Sequence, residues 1–423
     1  MSNFFAKWKL VFGDTILRRR ITVTLGLLVV SRLLATIPVP GVDAFRLQSL
    51  FSGSQFLSLL NIFSGGGLAN LSIVMLGVGP YITASIVMQL LTIMSPKLKA
   101  LYQEEGEAGK RQFAQYSRIL TVPLAVVQGY AFIRLLQGQG VLPPMSIGAI
   151  SIDVLVIVAG SMLLMWVGEL ISEFGVGNGV SLIIFAGIVS TLPTAVSQLT
   201  FTFTPALLPV YVVGLVAALL VTFAVVVVNE AERPIPITYA KQVRGGRTYG
   251  GLQTYLPIRV NQAGVIPIIF ALSILLFPQM ILEFLSSSSI ASVQSVSNAV
   301  LTFLGNQWIY AVLYFVLVFL FTYFYTAVTF DPDAMSSNLQ KSGAFIPGVR
   351  PGQSTADYVS KIVTRLTLFG ASFLGFVAVL PLILQSLTGI QALAIGGTAL
   401  LIVVSVVIDL VKKIEAQVSV REY

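Results

Sequence analysis

NIFSGGGLANLSIVMLGVGPYITASIVMQLL, Asn61 to Leu91, decides how the rest of this chain is read. From about residue 71 to 94 it is an apolar run long enough to cross ~30 Å of hydrocarbon as a helix. The part before it behaves differently. FSGSQFLSLLNIFSGGGLANLS, Phe51 to Ser72, is half apolar but broken by Gly65, Gly66 and Gly67 and by several Ser and Asn. It is too short and too polar to span a bilayer alone. Irregular backbone at membrane depth is tolerated only where protein or a water-filled cavity surrounds it. Two readings stay open here: a re-entrant segment in a cavity with the glycines as a hinge, or an amphipathic helix lying on the outer surface.

Outward from this stretch the pattern repeats. Apolar runs closed by charges or turn residues fall at about 21–37, 71–94, 117–137, 152–172, 180–200, 207–228, 263–285, 302–329, 363–385 and 391–411. The first follows Arg18, Arg19 and Arg20, yet is too long for the apolar core of a cleaved signal peptide. The composition agrees: 56% of the 423 residues are hydrophobic and only 10% charged, with a mean hydropathy of +0.90. A soluble domain carries about 25% charged residues. The fold class expected is an all-α membrane protein of ten transmembrane helices.

Charge placement orients it. Of the 25 Lys and Arg, 22 lie in the tails and in the loops on the same side as the termini. The opposite loops hold only Arg46 and Arg134, and Arg32 lies in the first run. Both termini are therefore expected in the cytoplasm. Ten spans can divide as five plus five, residues 1–200 and 201–423, and an odd number per half makes such a repeat inverted. No sequence identity between the halves proves a duplication.

There is no Cys and no His, which removes disulfides, thiolate nucleophiles, zinc sites and His-based acid–base chemistry. No cofactor is expected. Within the runs the ionisable groups noted are Glu169, Glu173 and Asp409 near helix ends and Arg32, which can snorkel. A path through such a midplane is closed by aliphatic side chains rather than selected by charge, and constrictions of that kind gate by dewetting. A secondary transporter of small solutes is the alternative, but only scattered Thr, Ser, Asn and Gln could form its midplane site. An enzyme lacks a catalytic constellation.

Two loops on the terminus side are long and punctuated by turns. Residues 229–262 read as a two-stranded hairpin with Lys241, Arg244 and Arg247 near its tip around Gly245 and Gly246. Residues 331–361 hold Arg350 in a Gly-Val-Arg-Pro-Gly turn. These basic loops suit an RNA surface or an acidic protein, or are merely solvated charges that fix topology. GVGNG, Gly175 to Gly179, lacks the flanking strand and Lys-Ser/Thr of a phosphate loop and reads as a tight helix connection.

With these stretches in place the chain resembles the SecY family of protein-conducting channel subunits. The resemblance rests on Asn61–Leu91 and on EGEAGKRQFAQYSR, GNGVSLIIFAGIV, NQAGVIPIIFALSILLFP, NLQKSGAFIPGVRPGQST and IGGTALLIVVSVVIDL, in family order from about residue 15 to 412. It implies a clamshell of two five-helix halves around an hourglass pore that passes unfolded secretory polypeptides. The aliphatic ring at the waist would be Val78, Ile82, Val180, Ile184, Ile269 and Ile402. The plug would be about residues 56–70, with Phe56, Leu59, Leu60, Ile62, Phe63, Gly65, Gly66 and Gly67, which favours the re-entrant reading. A lateral gate between spans two–three and seven–eight would release hydrophobic segments into lipid. The implied partners are SecE and SecG, the SecA ATPase, the ribosome, signal sequences with the chains they lead, and membrane lipids. Lys241, Arg244, Arg247 and Arg350 would dock the motor or the ribosome, and the location would be the cytoplasmic (inner) membrane.

Overall fold

The computed structural model describes residues 14–39, 61, 64, 66–68, 70–103, 105–138, 141–201, 208–239, 242–244, 247–249, 253–286, 290–388 and 391–419. Helices dominate. In chain order they are α1 (Thr15–Leu34), α2 (Gly79–Met94), α3 (Pro96–Gln103), α4 (Gly106–Gly138), α5 (Ile147–Phe174), α6 (Gly179–Phe201) and α7 (Leu208–Glu230). After a strand-rich insertion come α8 (Ile266–Ser286), α9 (Ala291–Gly305), α10 (Gln307–Thr329), α11 (Pro332–Lys341), α12 (Gln353–Thr388) and α13 (Gln391–Ser419). Their starts are set locally. Asp14, Ser146, Asn306 and Asp331 cap α1, α5, α10 and α11 by accepting backbone N–H groups of the first turn, and Pro332 stands in that turn of α11.

Among the described residues six helical stretches are long and apolar enough to cross a membrane: Gly106–Gly138, Ile147–Phe174, Tyr211–Glu230, Ile266–Ser286, Gln307–Lys341 and Gln353–Ser386. The other four expected spans fall on α1, which carries Arg18–Arg20, on the shorter apolar helices Gly79–Met94 and Gly179–Pro193, and on α13, whose last turns are charged. This multi-pass helical core is compatible with ten crossings.

Three local departures from the sequence reading stand out. The second span is helical only from Gly79; residues 71–78 are turns, apart from an isolated bridge between Ser72 and Pro38. The expected run 302–329 breaks at Asn306, which ends α9 and caps α10, so α9 is a separate helix before the span. Helix α12 starts ten residues before the apolar run, because its first turns pack on the strand-rich insertion rather than on lipid.

Among the described residues many contacts join helices that are not neighbours in sequence, such as α10 with α12, α7 with α13 and α1 with α5 and α6, and others bring early and late helices together. Helix α8 packs on α2 and α4, and α13 packs on α6. One apolar core runs through these contacts, from Leu68 and Val74 through Phe132, Ile157 and Ile184 to Ile269, Tyr314 and Ile402.

The insertion is a three-stranded antiparallel sheet ordered β4-β1-β5, from β1 (Glu232–Tyr239), β4 (Gln253–Arg259) and β5 (Ala344–Phe345). Strand β1 pairs with β4 from Glu232↔Arg259 to Thr238↔Gln253, and with β5 through Thr238↔Phe345 and Tyr239↔Ala344. A second pair, β2 (Gln242–Arg244) and β3 (Arg247–Tyr249), extends the hairpin. Alternation along β1 turns Ile235 and Ile237 inward. They join Ile258, Ile346, Val359, Ile362 and Val363 in a core separate from that of the membrane helices. The two long loops thus form one folded unit.

That unit is tied to the helices at Asn261. Its side-chain amide donates to Asn229 Oδ1 (2.7 Å), and its Oδ1 accepts from the Gly264 N–H (3.1 Å). Lys412 Nζ lies 3.0 Å from Glu230 Oε1 and donates to the Asn229 carbonyl at 3.1 Å. The ends of α7 and α13 and the start of α8 therefore meet beside the sheet.

Candidate functional site

The six ring candidates come from different helices: Val78 caps α2, Ile82 lies one turn into it, Val180 and Ile184 are in the first two turns of α6, Ile269 is in the first turn of α8 and Ile402 is in α13. All six belong to or pack against the one apolar core. Ile82, Val180, Ile184 and Ile269 line a single cavity of about 510 Å³ that lies toward the sheet end of the helices. Val78 and Ile402 are each 1% exposed and are not among its lining residues. The polar wall of this cavity includes Tyr81, Ser85, Gln89 and an ion pair across α4 and α5, Arg118 Nε to Glu169 Oε1 at 2.7 Å.

Below Val78, irregular backbone is buried as membrane depth requires. Leu68, Leu71, Ser72, Val74 and Met75 are almost inaccessible. Their amides are accounted for locally and against the end of α1: Ser72 N–H donates to the Gly67 carbonyl, Ile73 N–H to that of Ile37, and Val39 N–H to that of Leu71. A Cβ at residue 160 of α5 would clash with the Ile73 carbonyl, so Gly160 permits this close approach. Of the plug candidates, Gly66 and Gly67 belong to this segment, whereas Phe56, Leu59, Leu60, Ile62, Phe63 and Gly65 lie outside the described residues.

The seam where α2 and α4 meet α8 encloses a small cavity of about 40 Å³ lined by Thr83, Gln128 and Ser273 among apolar neighbours. At the other end of the seam Tyr130 of α4 meets Phe284 of α8 edge-on, with ring centroids 5.8 Å apart, and Arg134 stacks over Tyr130. The seam is closed.

Among the docking candidates, Arg350 is exposed on a turn between Gly348 and Gly352, both at positive φ (83° and 99°) where a side chain would be strained. The turn is fastened underneath: Thr355 Oγ1 donates to the Arg350 carbonyl (2.9 Å) and Ser336 Oγ to that of Gly352 (2.6 Å). Arg244 and Arg247 are cross-strand partners at the end of β2–β3, and Lys241 lies outside the described residues. GVGNG joins α5 to α6 as a tight connection, held to α1 by Val176 N–H donating to Thr24 Oγ1 at 3.0 Å.

A sequence profile of SecY proteins matches residues 72–411, most of the chain. The chain belongs to the SecY family. It is 42% identical to the protein translocase subunit SecY of Mycobacterium tuberculosis over 427 residues, covering 96% of each chain. It is likewise 42% identical to that of Corynebacterium glutamicum over 434 residues, covering 97% of each. Its fold matches a solved protein-conducting channel with a TM-score of 0.67 at 18% identity, covering 97% of this chain and 94% of that one. A second solved structure, of a SecY whose plug domain stabilises the closed state, matches with a TM-score of 0.66 at 19% identity, again over 97% and 94%. This SecY-family chain is a channel-forming subunit of a protein translocase and not an enzyme.

Sequence reasoning missed two carboxylates inside the expected spans of this SecY-family chain, Asp153 and Glu283. Asp153 is buried in the second turn of α5, and Glu283 lies in the last turns of α8. It also missed the Arg118–Glu169 pair. A basic and an acidic residue 51 positions apart carry no spacing signal.

Proposed function

We propose that Val78, Ile82, Val180, Ile184, Ile269 and Ile402 form the constriction of the channel and that the 510 Å³ vestibule receives the polypeptide. Residues 1–200 and 201–423 act as two halves that part along the α2/α4–α8 seam, with α6–α13 as the opposite contact. The segment around residues 56–70 plugs the outer side. The observation that carries this reading is that aliphatic residues from three separate helices share one cavity next to a seam of packed, non-sequential helices.

The physics supports it. An aliphatic ring offers no strong site to trap a passing side chain and resists wetting when closed. A hydrophobic segment that reaches the seam gains about 25 cal/mol for each Å² of apolar surface it buries, and so partitions sideways into lipid. Polar stretches gain nothing there and continue through the ring.

Energy comes from outside the chain. The sheet unit, with Arg350, Arg244, Arg247 and Lys241, docks either a SecA-type ATPase or a ribosome. Among the structural neighbours is a canine Sec61 in a ribosome–channel complex, which supports a ribosome as one such partner. SecE and SecG complete the complex in the inner membrane, and both termini face the cytoplasm, as the 22 basic residues on that side favour.

A photo-crosslinking residue in place of Ile82 tests this. With a secretory precursor stalled in reconstituted vesicles, an adduct that depends on ATP and motor is expected. Adducts only to lipid or neighbouring helices, with the precursor demonstrably in mid-transit, would remove Ile82 from the path.

A further inference from the structure

The vestibule has two unlike walls. On one side α2 presents Tyr81, Ser85 and Gln89 to the cavity, at positions i, i+4 and i+8, so two hydroxyls and an amide form a column on one helical face. On the other side α8 and α10 contribute Ile266, Phe270 and Tyr325, the last two rings meeting edge-on with centroids 6.2 Å apart. The ion pair Arg118–Glu169 is satisfied within itself. Gln89 is different: its Oε1 is buried and accepts no hydrogen bond. Buried acceptors in folded proteins are nearly always paired, and this one, on a side chain that lines the cavity, finds a donor once its amide turns toward an occupant.

Resting on the channel reading, we infer that this face of α2 is a rail for the backbone of the translocating chain. With its amide turned to the cavity, Gln89 Oε1 accepts a peptide N–H, and Ser85 and Tyr81 continue the contact toward Ile82. The spacing fits. Four residues of helix rise about 6 Å, and the N–H groups on one edge of an extended chain repeat about every 6.6–6.8 Å. Every residue but proline carries that donor, so the rail grips without reading sequence. The apolar wall opposite takes the side chains of hydrophobic segments, which then lie next to the α2–α8 seam. An occupant is thus sorted by which wall it prefers.

The test uses the assembled complex in vesicles with a stalled precursor, and the rate at which that precursor slides back once the motor is quenched. Gln89→Met keeps length and helical preference while removing the acceptor. Back-sliding about three- to tenfold faster is expected, the loss of one neutral hydrogen bond. A precursor whose vestibule segment is N-methylated, and so lacks N–H groups, is expected to slide back equally fast in both proteins. An unchanged rate in Gln89→Met with the ordinary precursor overturns the rail, as does a difference that persists with the N-methylated one. If Gln89→Met fails to assemble, the two precursors are compared in the unaltered protein alone, where equal rates overturn it. Unaltered complex that admits no precursor at all counts against the channel reading instead.

Discussion

Replacing Ile237 with alanine tests whether the strand-rich insertion is an independent folded unit that partners grip. Ile237 is 5% exposed on the central strand β1, in a core of seven buried side chains among the described residues. Truncating a buried isoleucine costs about 2–5 kcal/mol, the spread reflecting how far the site collapses. A unit of roughly 65 residues has about 3–10 kcal/mol at the usual 0.05–0.15 kcal/mol per residue. The loss is therefore of the same order as the whole. The membrane core, which Ile237 does not touch, should survive. Limited proteolysis in vesicles is then expected to cut Ile237→Ala within 229–262 and 331–361 at enzyme levels that spare the parent chain. The helical bundle should remain intact, and motor or ribosome binding should fall at least tenfold. The reasoning fails if both loops stay protected and binding is unchanged. It also fails if cutting appears in 229–262 alone, because β5 would then contribute nothing to the unit.

Three further outcomes follow from the same geometry. Ile184→Gly, at a position with no accessible surface, should raise the resting ion conductance of the channel in planar bilayers several-fold; an unchanged conductance would take Ile184 out of the constriction. Gly160→Ala forces a methyl against the Ile73 carbonyl, and overpacking of this kind costs about 1–3 kcal/mol, to be read as a lower midpoint of thermal unfolding in detergent, whereas Gly148→Ala, in open space on the same helix, should be neutral. Arg350→Glu leaves the turn fastened through its main chain, so proteolytic protection should persist while partner affinity falls about tenfold, with a weaker dependence on salt.

How much of this was legible beforehand follows physical lines. Long apolar runs and the placement of Lys and Arg revealed the membrane helices, because a bilayer imposes length and charge rules that act residue by residue. The hairpin at 229–262 was legible from alternation and from Gly245-Gly246. The joining of the two loops through Thr238↔Phe345 was not, since a two-residue strand has no periodicity and its pairing spans more than a hundred positions. The start of α2 at Gly79 was hidden for another reason: residues 71–78 are as apolar as the helix after them, and only burial against α1 and α5 lets that backbone leave the helical path. As a sequence, Val78, Ile82, Val180, Ile184, Ile269 and Ile402 resemble any lipid-facing aliphatic residues, and only the family motifs singled them out. The carboxylates Asp153 and Glu283 were in plain sight but sit toward the ends of spans, where a charge is cheapest.

The strand β5 has a mechanical consequence. Strand β1 continues α7 almost without a break, β4 runs into α8 through Asn261, and β5 lies between α11 and α12. The sheet is thus a yoke on which four shafts converge: α7, α8, α12 and, through α11, α10. A partner that pushes on the Arg350 turn cannot displace one of these shafts alone. The load would be shared through β1, and part of it would arrive at the first turn of α8, where Ile269 lies. On the proposed channel reading, a push delivered in the aqueous phase would reach α8 as a torque.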